Sequence, residues 1–411
     1  MKSKEREKPA ALPGAGRHGA AKHPEGQDGL ILYQDRLEHR KKIRQGKKRR
    51  KIALVVVLFA VILLYLNWDV LSPTVIGGTI GDFFDQMGKS KYPVTLSQGN
   101  FVSAVPLGNN LGVLTDTAFL VYSASGSLYA ERPHGMTTPA AQSSGSWAIL
   151  YDRGGKQFKL ESRFHENYSG QAENPIIAAA VSQSGSFAVV TESERYLSEV
   201  WVYGRSGQVT FRYYAVEGRA LSAALSPDGR ELAVVLVGAK DGDIVSTVKL
   251  YRTDSQKLIA QKEYDGLLLY SVSFRGGNAL ACVGDSASVF LDRDGKQVSH
   301  YGYGDRVLKC YSSNADATAL VFSKYSVGSA STVVSLDPAG KERGRADVPA
   351  DIKTITAGAG RIAALAQKEI WSATTSCGDI RKFPVSGNVL GAVTVRDGAY
   401  IFGLQTVYQY R

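Results

Sequence analysis

Apolar positions follow two unlike patterns along the chain. Residues 52–66 (IALVVVLFAVILLYL) are apolar almost without a break. From about residue 92 onward, short apolar runs alternate with turn-forming clusters of Gly, Ser, Asp and Asn, and this second pattern repeats. One clear copy, 175–217, runs IIAAAVS, the turn QSG, SFAVVTES, SEVWVYG, the turn RSG and QVTFRYYA. The next runs ALSAALS, PDG, RELAVVLV, STVKLY, RTDS and QKLIAQKEY, and LYSVSF-RGG-NALACVG-ASVFLD-RDG-KQVSHYGY follows it. Copies start near 101, 137, 175, 219, 267, 306, 351 and 389, a mean period of about 41 residues, and four strands at that spacing make a propeller blade. Within strands, Val200 and Val202 alternate with Trp201 and Tyr203, as expected of a sheet covered on both faces. No long 3.6-residue periodicity interrupts the series, which excludes alternating βα architectures.

The copy that starts near 389 has only three strands, and residues 92–97 (YPVTLS), ahead of the first inner strand, can supply its fourth. Closing the last blade with the N-terminal segment leaves no open seam in the ring. The expected fold is therefore all-β: a propeller of eight four-stranded blades over 92–411. Seven remains open, because the outer strand of the second copy (164–170) is poorly patterned.

The apolar run sets the expected topology. With Asn67 and Trp68 it reaches 17 residues, Ile52 to Trp68 with Leu66 near its far end, the short limit for crossing a hydrocarbon core. Arg40–Lys51 holds nine basic residues in twelve, including Lys47, Lys48, Arg49, Arg50 and Lys51. This flank predicts a single-pass, uncleaved signal-anchor with the N-terminus inside and everything after Trp68 extracytoplasmic. A cleaved signal peptide would need a short leader and a small-residue cleavage site, and neither is present. Residues 1–51 form the expected disordered basic tail, attracting anionic lipid head groups by about 1 kcal/mol per charge near the surface. Residues 69–91 are expected to be a stalk, with Ser72-Pro73 opening a short helix that Gly77, Gly78 and Gly81 weaken.

Charge supports this division. The whole chain carries a formal +11, but residues 1–51 hold 16 Lys/Arg against 6 Asp/Glu. The remainder is close to neutral, so nucleic acid is not an expected partner. Three cysteines, Cys282, Cys310 and Cys377, form no C-x-x-C pair. They are expected to be small buried residues, with a Cys282–Cys310 bond left open.

Motifs for catalysis fail on context. Gly358–Ala363 (GAGRIA) matches a dinucleotide fingerprint but lies between two apolar strands rather than before a helix. Gly88-Lys89-Ser90 lacks the first glycine of a phosphate loop, and Asp292–Gly295 lacks the later ligands of a calcium loop. Outside the tail the histidines are His134, His165 and His300, at no zinc spacing. No cofactor, metal or catalytic set is expected.

The layout resembles WD-repeat-like and quinoprotein-like propellers, and the Ser226–Val234 turn (SPDGRELAV) is similar to that of TolB-type and lactonase-type repeats. Basic tail, single helix and blades together resemble an uncharacterised family of Firmicutes membrane proteins, a domain of unknown function. That resemblance implies a Gram-positive envelope location and no established activity.

In a propeller, second-to-third-strand turns share one face, and three are long here: 192–198, 237–246 and 323–331. Binding concentrates on long loops held by a rigid scaffold. Tyr196, Lys240, Asp241, Asp243 and Tyr325 are the candidate contacts. The expected function is a membrane-tethered, non-catalytic interaction module binding an extracytoplasmic protein, peptide or glycan. The alternatives are a quinoprotein-like or lactonase-like enzyme, and a structural subunit of a larger membrane complex.

Overall fold

The structure, a computed structural model, describes residues 55, 57, 58, 90–323, 330–358, 360–385, 388–395 and 398–410. Of the predicted membrane segment only Val55, Val57 and Leu58 are among these, and they are helical and exposed. The rest of that segment, including Ile52, Leu66 and Trp68, lies outside the described residues. So do the basic tail with Lys47–Lys51, the stalk up to residue 89, and Tyr325. Among the described residues no helix is long and apolar enough to cross a membrane.

From Val94 to Tyr410 the strands form eight four-stranded antiparallel sheets. Blades 1 to 7 span 101–133, 139–171, 176–215, 219–265, 269–302, 307–348 and 352–384. Blade 8 combines 391–410 with Val94–Thr95. The fold is the eight-bladed propeller that the repeat predicts. The seven-bladed alternative falls, because Glu166–Gln171 forms a regular outer strand in blade 2.

Each blade runs from its inner strand outward in chain order, blade 8 borrowing its outermost strand. Second and third strands are mostly buried, completely so in Leu280–Gly284 and Ala287–Leu291, while outer strands such as Gln297–Gly302 alternate half-buried and exposed positions. The alternation in the third strand of blade 3 sorts side chains between two neighbours. Val200 and Val202 pack with Leu232, Val234 and Leu236 of blade 4, and Trp201 and Tyr203 pack with Ile149 and Phe158 of blade 2. Each such buried aliphatic contributes about 1.5–3 kcal/mol.

The ring has two faces. On the upper face, links between blades meet the second-to-third turns: the Glu192 amide donates to the Pro175 carbonyl (2.9 Å) and the Asp285 amide to that of Leu268 (3.0 Å). On the lower face, first-to-second and third-to-fourth turns meet, as in Thr253 N–H to the Arg230 carbonyl (2.9 Å). The Lys91 amide donates to the Ser125 carbonyl (2.7 Å) in a third-to-fourth turn, so the described chain joins the ring on the lower face.

A buried serine at the start of the third strand in blades 3 and 6, and three residues into it in blade 4, ties each blade to the next. The hydroxyls of Ser198, Ser246 and Ser331 accept the amides of Ala220 (2.8 Å), Leu269 (2.8 Å) and Ile352 (3.1 Å) at the start of the following inner strand. Blade 5 differs. Its Ser288 bonds the hydroxyl of Tyr303 (2.7 Å), a buried ring in the link to blade 6, and the inner strands of these two blades stand further apart. Six inner strands carry a one-residue bulge, at Val102, Ile177, Leu221, Tyr270, Lys309 and Lys353, and those at Leu221, Tyr270 and Lys353 directly follow the tied residues.

The ring closes as expected. Val94 pairs with Val407 and Thr95 with Thr406, supplying the outer strand of blade 8. The Phe101 amide donates to the Leu404 carbonyl (2.8 Å), and the Phe101 ring stacks on Phe402 at 4.5 Å and 8°.

Candidate interaction surface

Two of the three candidate loops, 192–198 and 237–246, belong to the upper face of blades 3 and 4, and residues 324–329 of the third lie outside the described residues. In the turn 192–197, the Ser193 hydroxyl accepts the amides of Arg195 (3.2 Å) and Tyr196 (3.1 Å) and donates to Glu199 (2.6 Å). Arg219 of blade 4 reaches back to Glu192 at 2.6 Å. This bracing holds Tyr196 outward, its ring 4.8 Å from that of Tyr214.

Residues 237–246 are not the loop the sequence suggests. They extend two ten-residue strands, Glu231–Lys240 and Asp243–Arg252, paired up to Lys240 opposite Asp243. Asp241 (φ 54°) and Gly242 (φ 92°) make the turn, both in the left-handed region that an Asp-Gly hairpin demands. The inner strand of blade 4 begins opposite Val237, so the tip 238–243 stands beyond the blade as a projecting hairpin. Lys240, Asp241 and Asp243 sit on that tip.

The neighbouring link lies against the hairpin's base. A Cβ on Gly218 would meet the Val237 carbonyl at 3.0 Å, and one on Gly238 the Glu217 carbonyl at 2.9 Å. Lys249, almost fully buried, pairs with Glu217 at 2.6 Å. Around this junction four further apolar side chains are exposed: Val216 (65%), Leu197 (51%), Ile244 (46%) and Tyr214 (39%). Sequence reasoning found Tyr196 and the hairpin tip but missed these four. The signal was the clustering of Tyr214 and Val216 at a strand end, next to a blade-to-blade link.

On the lower face, a groove of about 1000 Å³ between blades 4 and 5 is lined by Glu231, Arg252, Asp254, Lys257, Asn278 and Arg293, among others. Its charges largely answer one another: Arg252 bonds Asp254 at 2.6 Å, and Asn278 donates to Glu231 at 3.0 Å.

His134 is buried, with Nε2 donating to the Thr115 carbonyl (3.0 Å) and Nδ1 accepting the Met136 amide (3.0 Å). Among the described residues no group of His, Cys, Asp and Glu could hold a metal ion. Asp292 accepts the amides of Asp294 (3.0 Å) and Lys296 (2.8 Å), so the calcium-loop look-alike is a turn. Gly358 pairs with Arg361 across a hairpin, with no helix following. All three cysteines are free. Cys282 packs between blades 4 and 5 and Cys310 packs towards blade 7, which rules out the bond left open above. Burial pushes both thiols up to about 12.

Glu161 of blade 2 is almost fully buried, 2.8 Å from Arg132 of blade 1. Burial pushes its carboxyl up to about 7 against the opposing pull of Arg132, with the Glu166 charge adding to the rise. A raised folded-state value means a contribution to stability that is whole below about pH 4.5 and is lost as pH rises through 7. Glu161→Gln is therefore expected to flatten the stability profile between pH 5 and 8 by up to about 3 kcal/mol. Urea melts across that range test it, and parallel profiles for both proteins would refute it.

Together these features define an eight-bladed β-propeller, presenting an apolar, aromatic-bearing surface beside a projecting hairpin. The chain belongs to the family of unknown function DUF5711, whose pattern matches residues 88–396. No curated protein matches it in sequence. Solved structures share its fold at low identity. BamB from Moraxella catarrhalis is 14% identical with a TM-score of 0.51, over 78% of this chain and 99% of that one. Sqt1 from Chaetomium thermophilum, solved bound to the N-terminus of ribosomal protein L10, is 13% identical with a TM-score of 0.53, over 77% and 100%. A quinohemoprotein alcohol dehydrogenase from Pseudomonas putida is 10% identical with a TM-score of 0.52, over 78% and 75%.

Proposed function

We propose that this protein is a membrane-tethered, non-catalytic interaction module of the cell envelope, binding a protein partner through the upper face of blades 3 and 4. The observation that carries this reading is the exposed group Tyr196, Leu197, Tyr214, Val216 and Ile244 beside the projecting hairpin. Contiguous exposed apolar surface marks interaction sites, and tyrosine is enriched in them. The bracing of Tyr196 by Ser193 and Tyr214 lowers the entropy lost on docking. Sqt1, a propeller of the same fold, was solved with a peptide segment of a ribosomal protein bound, which supports a protein as the partner class. The tether rests on the unbroken apolar run 52–66 behind nine basic residues in twelve. Because the described chain joins the ring on the lower face, the proposed docking surface lies on the side opposite that junction.

A photo-crosslinking amino acid placed at Tyr196, and separately at Arg293 on the lower face, tests this in intact cells. A discrete protein adduct from position 196 and none from 293 is the expected result. No adduct at 196, or the same adducts from both positions, would overturn it.

A further inference from the structure

The six inner-strand bulges fall at one level of the ring, at the ends of the inner strands nearest the upper face. A bulge takes its extra residue out of the ladder and re-aims its side chain, and bulges gather at rims and binding sites. Here the bulged backbones ring the upper mouth of the central channel, although Ile177 packs on the core between blades 3 and 4 and Tyr270 lies 5.7 Å from the Tyr311 ring. In blade order the bulged residues are Val102, Ile177, Leu221, Tyr270, Lys309 and Lys353, with blades 2 and 8 contributing none. The order is not mixed. Blades 1, 3 and 4 supply aliphatic side chains, blade 5 an aromatic one, and blades 6 and 7 two lysines. Val102 is 42% exposed, and Ile177, Leu221 and Tyr270 are each partly exposed. Lys309 already pairs with Asp351, whereas Lys353 is exposed and makes no ion pair among the described residues.

We propose that this mouth takes an acidic, apolar peptide segment of a protein partner, with aliphatic side chains against Val102 and Leu221 and a carboxylate at Lys353. The inference rests on the reading above that the propeller binds a protein, and adds the chemistry of the bound segment. An apolar arc facing a cationic arc selects a ligand with both characters. A uniformly basic peptide would meet Lys309 and Lys353 as like charges, and a purely polar one would leave the aliphatic arc wet. Asp351 takes up one lysine, so one carboxylate is the expected requirement rather than a run of them.

Phage-displayed random heptapeptides panned on the full-length chain in detergent test the proposal. Enriched sequences should combine Asp or Glu with aliphatic residues. Synthetic versions should bind the Lys353→Glu protein about tenfold more weakly, a change on an exposed side chain that leaves the core intact. Leu221→Asp should weaken them similarly, with a thermal melt to verify folding, and Tyr196→Ala should leave them unchanged. Enrichment of basic or neutral sequences, equal binding to Lys353→Glu, or no enrichment over empty micelles would each overturn the proposal. A protein crosslinked at position 196 together with failed panning would refute the channel-mouth site and leave the interaction reading standing. Acidic apolar binders without that crosslink would do the reverse.

Discussion

Replacing Phe402 by alanine is expected to lower the unfolding free energy by about 3–5 kcal/mol. The ring is completely buried where the last blade meets the first, stacked flat on Phe101 and clustered with Val113 and Leu120 of blade 1 and Tyr400 and Val407 of blade 8. Removing it takes away transfer energy and opens a cavity that two rigid sheets cannot collapse to fill. It also removes the aromatic pair, itself worth about 0.5–1.5 kcal/mol beyond the area buried. Urea denaturation of the full-length protein should show a lower midpoint with an unchanged slope, because the ring still unfolds as one body. A loss near 1 kcal/mol would mean that blades 1 and 8 do not meet through these rings.

Gly340→Ala should cost about 2–5 kcal/mol through two separate effects. Gly340 closes the third-to-fourth turn of blade 6 at φ 80°, where an alanine loses about 1–2 kcal/mol to its own backbone. A Cβ there would also lie on the ring of Phe290 in blade 5, which is fully buried and cannot withdraw, adding about 1–3 kcal/mol of overpacking. Gly154 provides the control, since it has the same backbone sign (φ 78°) with nothing within 4 Å of an added Cβ. Gly154→Ala should show the backbone cost alone. Equal losses at both positions, measured by the same melts, would remove the packing argument.

Much of the architecture could be read in advance, for a definite physical reason. Strands sandwiched between neighbouring blades must be apolar on both faces, so the copies from IIAAAVS to KQVSHYGY announce themselves, and a turn glycine or aspartate punctuates each one. The closure by residues 92–97 was also legible, because the final copy was visibly one strand short. The joints between blades were not. Ser198, Ser246 and Ser331 look like turn residues at the head of a strand, and only the packed ring shows each hydroxyl bonded to the next blade. The hairpin of blade 4 was misread for its length. A ten-residue strand outruns its four-stranded sheet, although Asp241-Gly242 carried the hairpin signal. The exposed group around Tyr196 was half legible, because single apolar residues such as Leu197 and Val216 in links are ordinary until they are seen side by side.

The strand that closes the ring also sets a clock on its assembly. Ser90, just ahead of the closing strand, and Gln409 of blade 8, whose side chains meet, are 319 residues apart. At ordinary rates of synthesis, about 15 to 60 s separate the making of one from the other. Through that interval the first blade waits with its Phe101 side uncovered, and Val94 and Thr95 have no strand to join. Seven blades can stack locally as they are made, but the longest-range contact in the domain comes last, which favours slow final closure. A cell making this protein must therefore keep an unfinished, open-edged ring from pairing with its neighbours until residues 391–410 have been made.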